Sequence, residues 1–97
     1  MKTVTLNGAR MTSKEAAHRY LAARLGFPDY YGCNLDALWD VLSTMSGPVR
    51  VRLINKNRLI YGLGSYGKEL LKVFADAARE NENLSFEISD GSLGSCT

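Results

Sequence analysis

Residues 28–42 read PDYYGCNLDALWDVL, and they hold a tyrosine pair, the chain's only tryptophan and three of its aspartates. Asn34 suits a helix N-cap, because its side-chain oxygen can accept a bond from an amide of the first turn that has no partner within the helix. A helix is therefore expected from Leu35. In it Leu35, Leu38 and Leu42 form a stripe suited to a core, while Asp36, Asp40 and Ser43 share another face and Trp39 lies between the two. Carboxylates at i and i+4 repel by roughly 0.2–0.5 kcal/mol, and only Asp36 is near enough to the helix N-terminus to recover that from the dipole. Stability alone does not select this pair. Before the helix, Phe27 to Cys33 reads as a loop in which one tyrosine packs and the other is exposed as a rigid, amphipathic contact residue. Gly32 is expected to take a positive φ ahead of the helix. Cys33 precedes the helix N-terminus, where a thiolate is favoured, but the sequence supplies neither a base nor a resolving cysteine for it, so an inert thiol is expected.

Upstream, Lys2 to Leu6 alternates and reads as a strand ended by a turn at Asn7-Gly8. Thr12 and Glu15 have the spacing of a capping box, followed by a helix from about Ser13 to Leu25 with Ala17, Leu21 and Leu25 inward and Gly26 as its stop. His18, the chain's only histidine, reads as a bland residue at the edge of that stripe. Downstream, Gly47-Pro48 closes the second helix, and Val49, Val51 and Leu53 alternate with Arg50 and Arg52 as a strand with a wet outer face. A last helix is expected from about Tyr66 to Arg79 with Leu70, Leu71, Phe74 and Ala78 inward, then a strand through Leu84, Phe86 and Ile88. The order strand, helix, helix, strand, helix, strand suits parallel strands joined by crossovers. Period-two alternation in all three strands implies a sheet covered on one face only.

At 97 residues, 45% hydrophobic and 23% charged, the chain is sized and composed as one globular domain. The reading is a single domain over 1–89 and a mobile tail over 90–97. No stretch approaches the about 18 apolar residues of a membrane span, so neither export nor anchor is expected. Cys33 and Cys96 lack metal-site spacing, which suits a reduced cytoplasm. The net charge of +2 hides a segregation. Residues 29–40 carry Asp29, Asp36 and Asp40 and no base, whereas residues 50–72 carry Arg50, Arg52, Lys56, Arg58, Lys68 and Lys72 against Glu69 alone. The basic stretch matches no nucleic-acid reader motif and is not read as a stacking surface of interleaved aromatics; a solvated face is expected.

Gly62, Gly64 and Gly67 satisfy G-x-G-x-x-G, and Gly62 to Lys68 satisfies G-x-x-x-x-G-K. Either phosphate loop must leave a strand directly and open a helix, but Asn55, Lys56, Asn57 and Arg58 intervene here, and Glu69 stands where a P-loop needs Ser or Thr. A small nucleotide- or phosphate-binding module using the Gly62–Lys68 loop is the alternative reading; helix capping and turn geometry explain the glycines more simply. An acid/base enzyme using Asp36 and Asp40 is disfavoured, because two exposed aspartates on one helix lack a cleft to desolvate them.

The pattern PxYYGxNLDALWD over residues 28–40, with eleven of its thirteen positions specified, resembles the signature of the barstar family, small intracellular inhibitors of guanine-specific ribonucleases. The resemblance spans 1–89, strongest over 28–42 and weakest over 43–65. It implies an α/β fold, a three-stranded parallel sheet with helices packed chiefly on one face. It further implies a cytoplasmic, non-enzymatic protein without cofactor or metal that is monomeric without its target. The implied target is an extracellular-type, barnase-like ribonuclease, with no direct contact to nucleic acid or membrane. The binding residues implied are Tyr30, Gly32, Asn34, Leu35, Asp36, Trp39 and Asp40. Aligned through Lys72 to Phe74, Asp76 joins them, standing where the family carries a glutamate.

Overall fold

The computed structural model describes residues 2–89; the expected tail over 90–97 lies outside them. Alternation at the N-terminus produces β1 (Lys2–Asn7), which turns through a short 3-10 segment, Gly8–Arg10, capped by the Asn7 side chain. Helix α1 (Lys14–Leu25) follows. Its cap is Ser13 rather than Thr12: the Ser13 hydroxyl accepts from the Ala16 amide at 3.1 Å. That shift puts Glu15 at the second helical position, so the reciprocal capping box does not form. Gly26 ends the helix at φ 70°, its amide donating to the Ala22 carbonyl at 2.9 Å. Helix α2 (Leu35–Thr44) is capped by Asn34 as expected, and β2 (Val49–Ile54) follows.

The sequence reading missed an element after β2. Residues 56–63 form α3 (Lys56–Leu63), packed against the 3-10 segment and the next helix through Leu59. Helix α4 (Ser65–Glu80) and β3 (Leu84–Ile88) complete the chain. The three glycines therefore occupy a helix–helix corner and not a strand-to-helix loop. Gly64 turns the corner at φ 61° and ψ −133°, a backbone region open essentially to glycine. Gly67 lies inside α4, where a Cβ would come 2.8 Å from Leu59 Cδ2. The glycines thus serve a tight crossing of α3 and α4, and the phosphate-loop reading of Gly62–Lys68 loses its geometry.

The fold is α/β. Strand β2 lies between β1 and β3, parallel to both, with Val4, Val51 and Phe86 in one row and Leu6, Leu53 and Ile88 in the next. Val4, Leu6, Val51, Leu53 and Leu84 are buried on the inner face, joined in one core by Leu21, Leu38, Leu42, Leu59, Leu70 and Phe74 from the helices. Phe74 stacks on Phe86 at 5.0 Å between ring centres. The outer face stays wet: Arg50, Arg52, Ser85 and Glu87 are exposed. There Arg52 Nε meets Glu87 at 3.1 Å, a surface pair worth little to stability.

Leu38 and Leu42 have no exposed surface; at about 1.5–3 kcal/mol each for full burial, they hold α2 against the core. The far end of α2 is fastened by buried Asn81. Its Nδ2 donates to the carbonyls of Leu42 and Met45, both at 2.9 Å, satisfying two of the acceptors that every helix C-terminus leaves open. Both ends of α2 are thus held by asparagine side chains, and its orientation is set by the core.

Candidate functional site

The loop between α1 and α2 is built around Tyr31, whose amide donates to the Pro28 carbonyl at 3.0 Å in a tight turn. As expected, one tyrosine packs and the other is exposed. Tyr30 is 88% exposed, while Tyr31 turns inward, its ring 4.8 Å from that of Phe27. The positive φ falls on Cys33, at 55°, and not on Gly32. Gly32 has a different reason to lack a side chain: a Cβ there would sit 3.2 Å from Asn34 Nδ2 and 3.3 Å from Ala37 Cβ, tighter than a side chain comfortably allows. Asn34 closes the loop, its Oδ1 accepting from the Ala37 amide at 2.7 Å and its Nδ2 donating to the Gly32 carbonyl at 3.3 Å.

On α2, Asp36 and Asp40 are exposed, and Leu35 and Trp39 are half-buried against the core. The Asp40 backbone carbonyl accepts from the Thr44 hydroxyl at 2.6 Å, and the Asp40 carboxylate, on an exposed residue, has no hydrogen bond or ion pair among the described residues. Tyr30 and Asp40 line the same open groove of about 740 Å³, whose apolar walls include Phe27, Val41 and Met45. Of the eight residues expected at the site, seven lie on this loop and helix. The eighth, Asp76, belongs to α4, which packs against α2, and its ion pair is with Arg79 on its own helix at 3.7 Å.

Sequence reasoning undervalued His18. It is not a boundary residue but has no exposed surface, and it bridges two tyrosines: Nδ1 lies 2.6 Å from the Tyr31 hydroxyl and Nε2 lies 2.6 Å from the Tyr66 hydroxyl. A neutral imidazole suits both contacts, one ring nitrogen donating and the other accepting. Burial lowers the His18 pKa below 6.5 and favours that neutral form. Burial also raises the hydroxyl pKa of both tyrosines, with smaller contributions from Cys33 for each, so neither ionises near neutrality. The bridge ties α1, the loop and the start of α4 together. No spacing rule reveals it, because Tyr66 is 48 residues from His18.

Among the described residues no group of three or more His, Cys, Asp or Glu side chains could hold a metal ion. No helix among them is long and apolar enough to cross a membrane. What the loop and α2 present is an acidic helix face beside an exposed aromatic and an apolar groove.

Two comparisons with known proteins bear on the chain as a whole. The family described as Barstar (barnase inhibitor) matches residues 1–90. A protein of Bacillus subtilis (strain 168) named "Putative ribonuclease inhibitor YrdF" is 38% identical over 81 residues, covering 82% of this chain and 89% of that protein.

Proposed function

The chain belongs to the barstar family, and from that premise we propose that it inhibits a ribonuclease, specifically a barnase-like, guanine-specific enzyme of the extracellular type. The observation that carries the reading is the sharing of one groove by exposed Tyr30 and exposed Asp40 on a helix held at both ends. In this mechanism Asp40 occupies the place of a substrate phosphate among the nuclease's cationic groups. Asp36 and Asp76 pair with flanking bases, Asp76 exchanging Arg79 for its target. Tyr30 packs over the nuclease's catalytic histidine, and Gly32, Asn34, Leu35 and Trp39 supply close contact. Rigid presentation matters because only interaction free energy left after the cost of ordering appears as affinity. The protein acts in the cytoplasm as a monomer and performs no chemistry itself.

Titration of the purified chain against a barnase-type ribonuclease, following RNA cleavage, tests the proposal. A linear loss of activity ending at one equivalent is expected. Full nuclease activity at a large molar excess of the chain, across several such enzymes, contradicts it.

A further inference from the structure

The α3–α4 corner removes the reason for reading the basic stretch as a plain solvated face. The sequence reading passed over Tyr61 and Tyr66, which stand among the bases of residues 50–72; α3 presents Tyr61 at 91% exposure, with no ring or hydrogen-bond partner among the described residues. Tyr61 stands on a second groove, of about 630 Å³, lined also by Lys56, Asn57, Ile60, Lys68 and Leu71. Arg58 lies one turn before Tyr61 on α3. Lys72 follows Lys68 by four residues on α4, about 6 Å along the axis. Arg58, Lys68 and Lys72 are exposed, and none has an ion pair among the described residues. Glu69, the acid in this stretch, is exposed and lies three residues before Lys72 on α4, so it offsets part of this charge, but Arg58, Lys68 and Lys72 outnumber it.

We propose that this groove binds single-stranded nucleic acid, with Tyr61 as the stacking platform for a base and Lys68, Lys72 and Arg58 pairing with backbone phosphates. An unpartnered aromatic ring beside free cations is the arrangement that single strands exploit, since every base has a face to stack. Ile60 and Leu71 give the floor an apolar surface for the ring of a base, and Asn57 alone offers a neutral polar edge, so sequence preference is weak. An acidic peptide would satisfy the lysines but leave the flat face of Tyr61 without a matching plane. Helix α3 is about 12 Å long, which limits the footprint to a few nucleotides and makes binding modest and strongly salt-dependent. None of the groove's residues is among those of the Tyr30–Asp40 surface, so strand and nuclease can be held together.

The test is fluorescence anisotropy of a labelled, mixed-sequence single-stranded RNA of about twelve nucleotides. The same sequence as DNA, its duplex, and polyglutamate as competitor serve as further arms. Saturable binding to single strands is expected, weaker on duplex and falling with salt. Tyr61→Ala should weaken it about fivefold or more, Tyr61→Phe should restore it, and joint Lys68→Ala and Lys72→Ala should reduce the log–log salt slope by about 1.4. Preference for RNA over DNA, or equal binding, upholds the proposal and identifies the strand. Absence of saturable binding overturns it, as does a Tyr61→Ala variant within twofold of the parent. Polyglutamate binding with the same dependence on Tyr61 overturns it in favour of an acidic protein surface. Inhibition titrations and melts of the Tyr61 variants should match the parent, because Tyr61 touches neither the core nor the Tyr30–Asp40 groove.

Discussion

His18 shows most clearly how a single residue's role depends on surroundings the local sequence does not display. Its sequence neighbours mark it as the edge of an apolar stripe, and the structure places it between two tyrosine hydroxyls. The groups facing it are Tyr31 from the loop and Tyr66 from α4, with the Lys14 ammonium over the Tyr66 ring at 4.8 Å and Glu69 and Cys33 beyond. Because burial lowers the folded-state pKa below 6.5, the unfolded chain takes up the proton first as pH falls. Stability is then fully present above about pH 6.5, declines as pH falls through that value, and levels off below the folded pKa. Urea midpoints between about pH 7.5 and 5.5 should fall for the parent and stay flatter for His18→Gln. Equal slopes for the two would show that His18 is not the titrating group. The misplaced positive φ at Cys33 is a similar case. Glycine is the residue that tolerates such a backbone most cheaply, yet close packing over Gly32 takes the glycine, and the next residue takes the turn.

Elements were legible in proportion to how local their determinants are. Asn34 and the leucine stripe specify α2 from within fifteen residues, and the structure reproduces its start. Helix α3 was hidden because Asn55, Lys56 and Asn57 open it with polar residues and Gly62 and Gly64 suggest a loop. Its helicity rests on tertiary packing, with Leu59 fully buried and Gly67 of the next helix closing on it. The far end of α2 likewise depends on Asn81, which lies 39 residues from Leu42. Asn81→Ala should strand two carbonyls at that end and cost about 1–3 kcal/mol, read as a lower denaturation midpoint. If α2 keeps its stability and its amides keep their hydrogen-exchange protection in this variant, the asparagine is not what fastens the helix. Sequence placed seven of the candidate binding residues on one loop and helix. It held no sign that Tyr30 and Asp40 share a groove, since that depends on how the loop folds back over the end of α2.

Over the whole molecule, charge separation matters more than the net value of +2. Barstar itself is acidic, and its overall field draws in a cationic enzyme; under the proposed mechanism this chain, at +2, would rely on the local patch instead, because long-range steering follows the summed charge. That puts more of the binding on individual carboxylates. Asp40 stands on a helix whose two ends are tied, at the groove it shares with Tyr30. Removing a charge paired within a desolvated interface costs about 2–5 kcal/mol, a range borrowed from charge pairs in other complexes, barstar's among them. The most direct test of the account is the dissociation constant of Asp40→Ala against a ribonuclease that the parent inhibits, measured beside Asp29→Ala with melts of both. Asp40→Ala should bind about 30-fold more weakly or worse, with its melt unchanged and Asp29→Ala close to the parent. Binding of Asp40→Ala within about threefold of the parent, less than 1 kcal/mol, would contradict the phosphate-mimic mechanism.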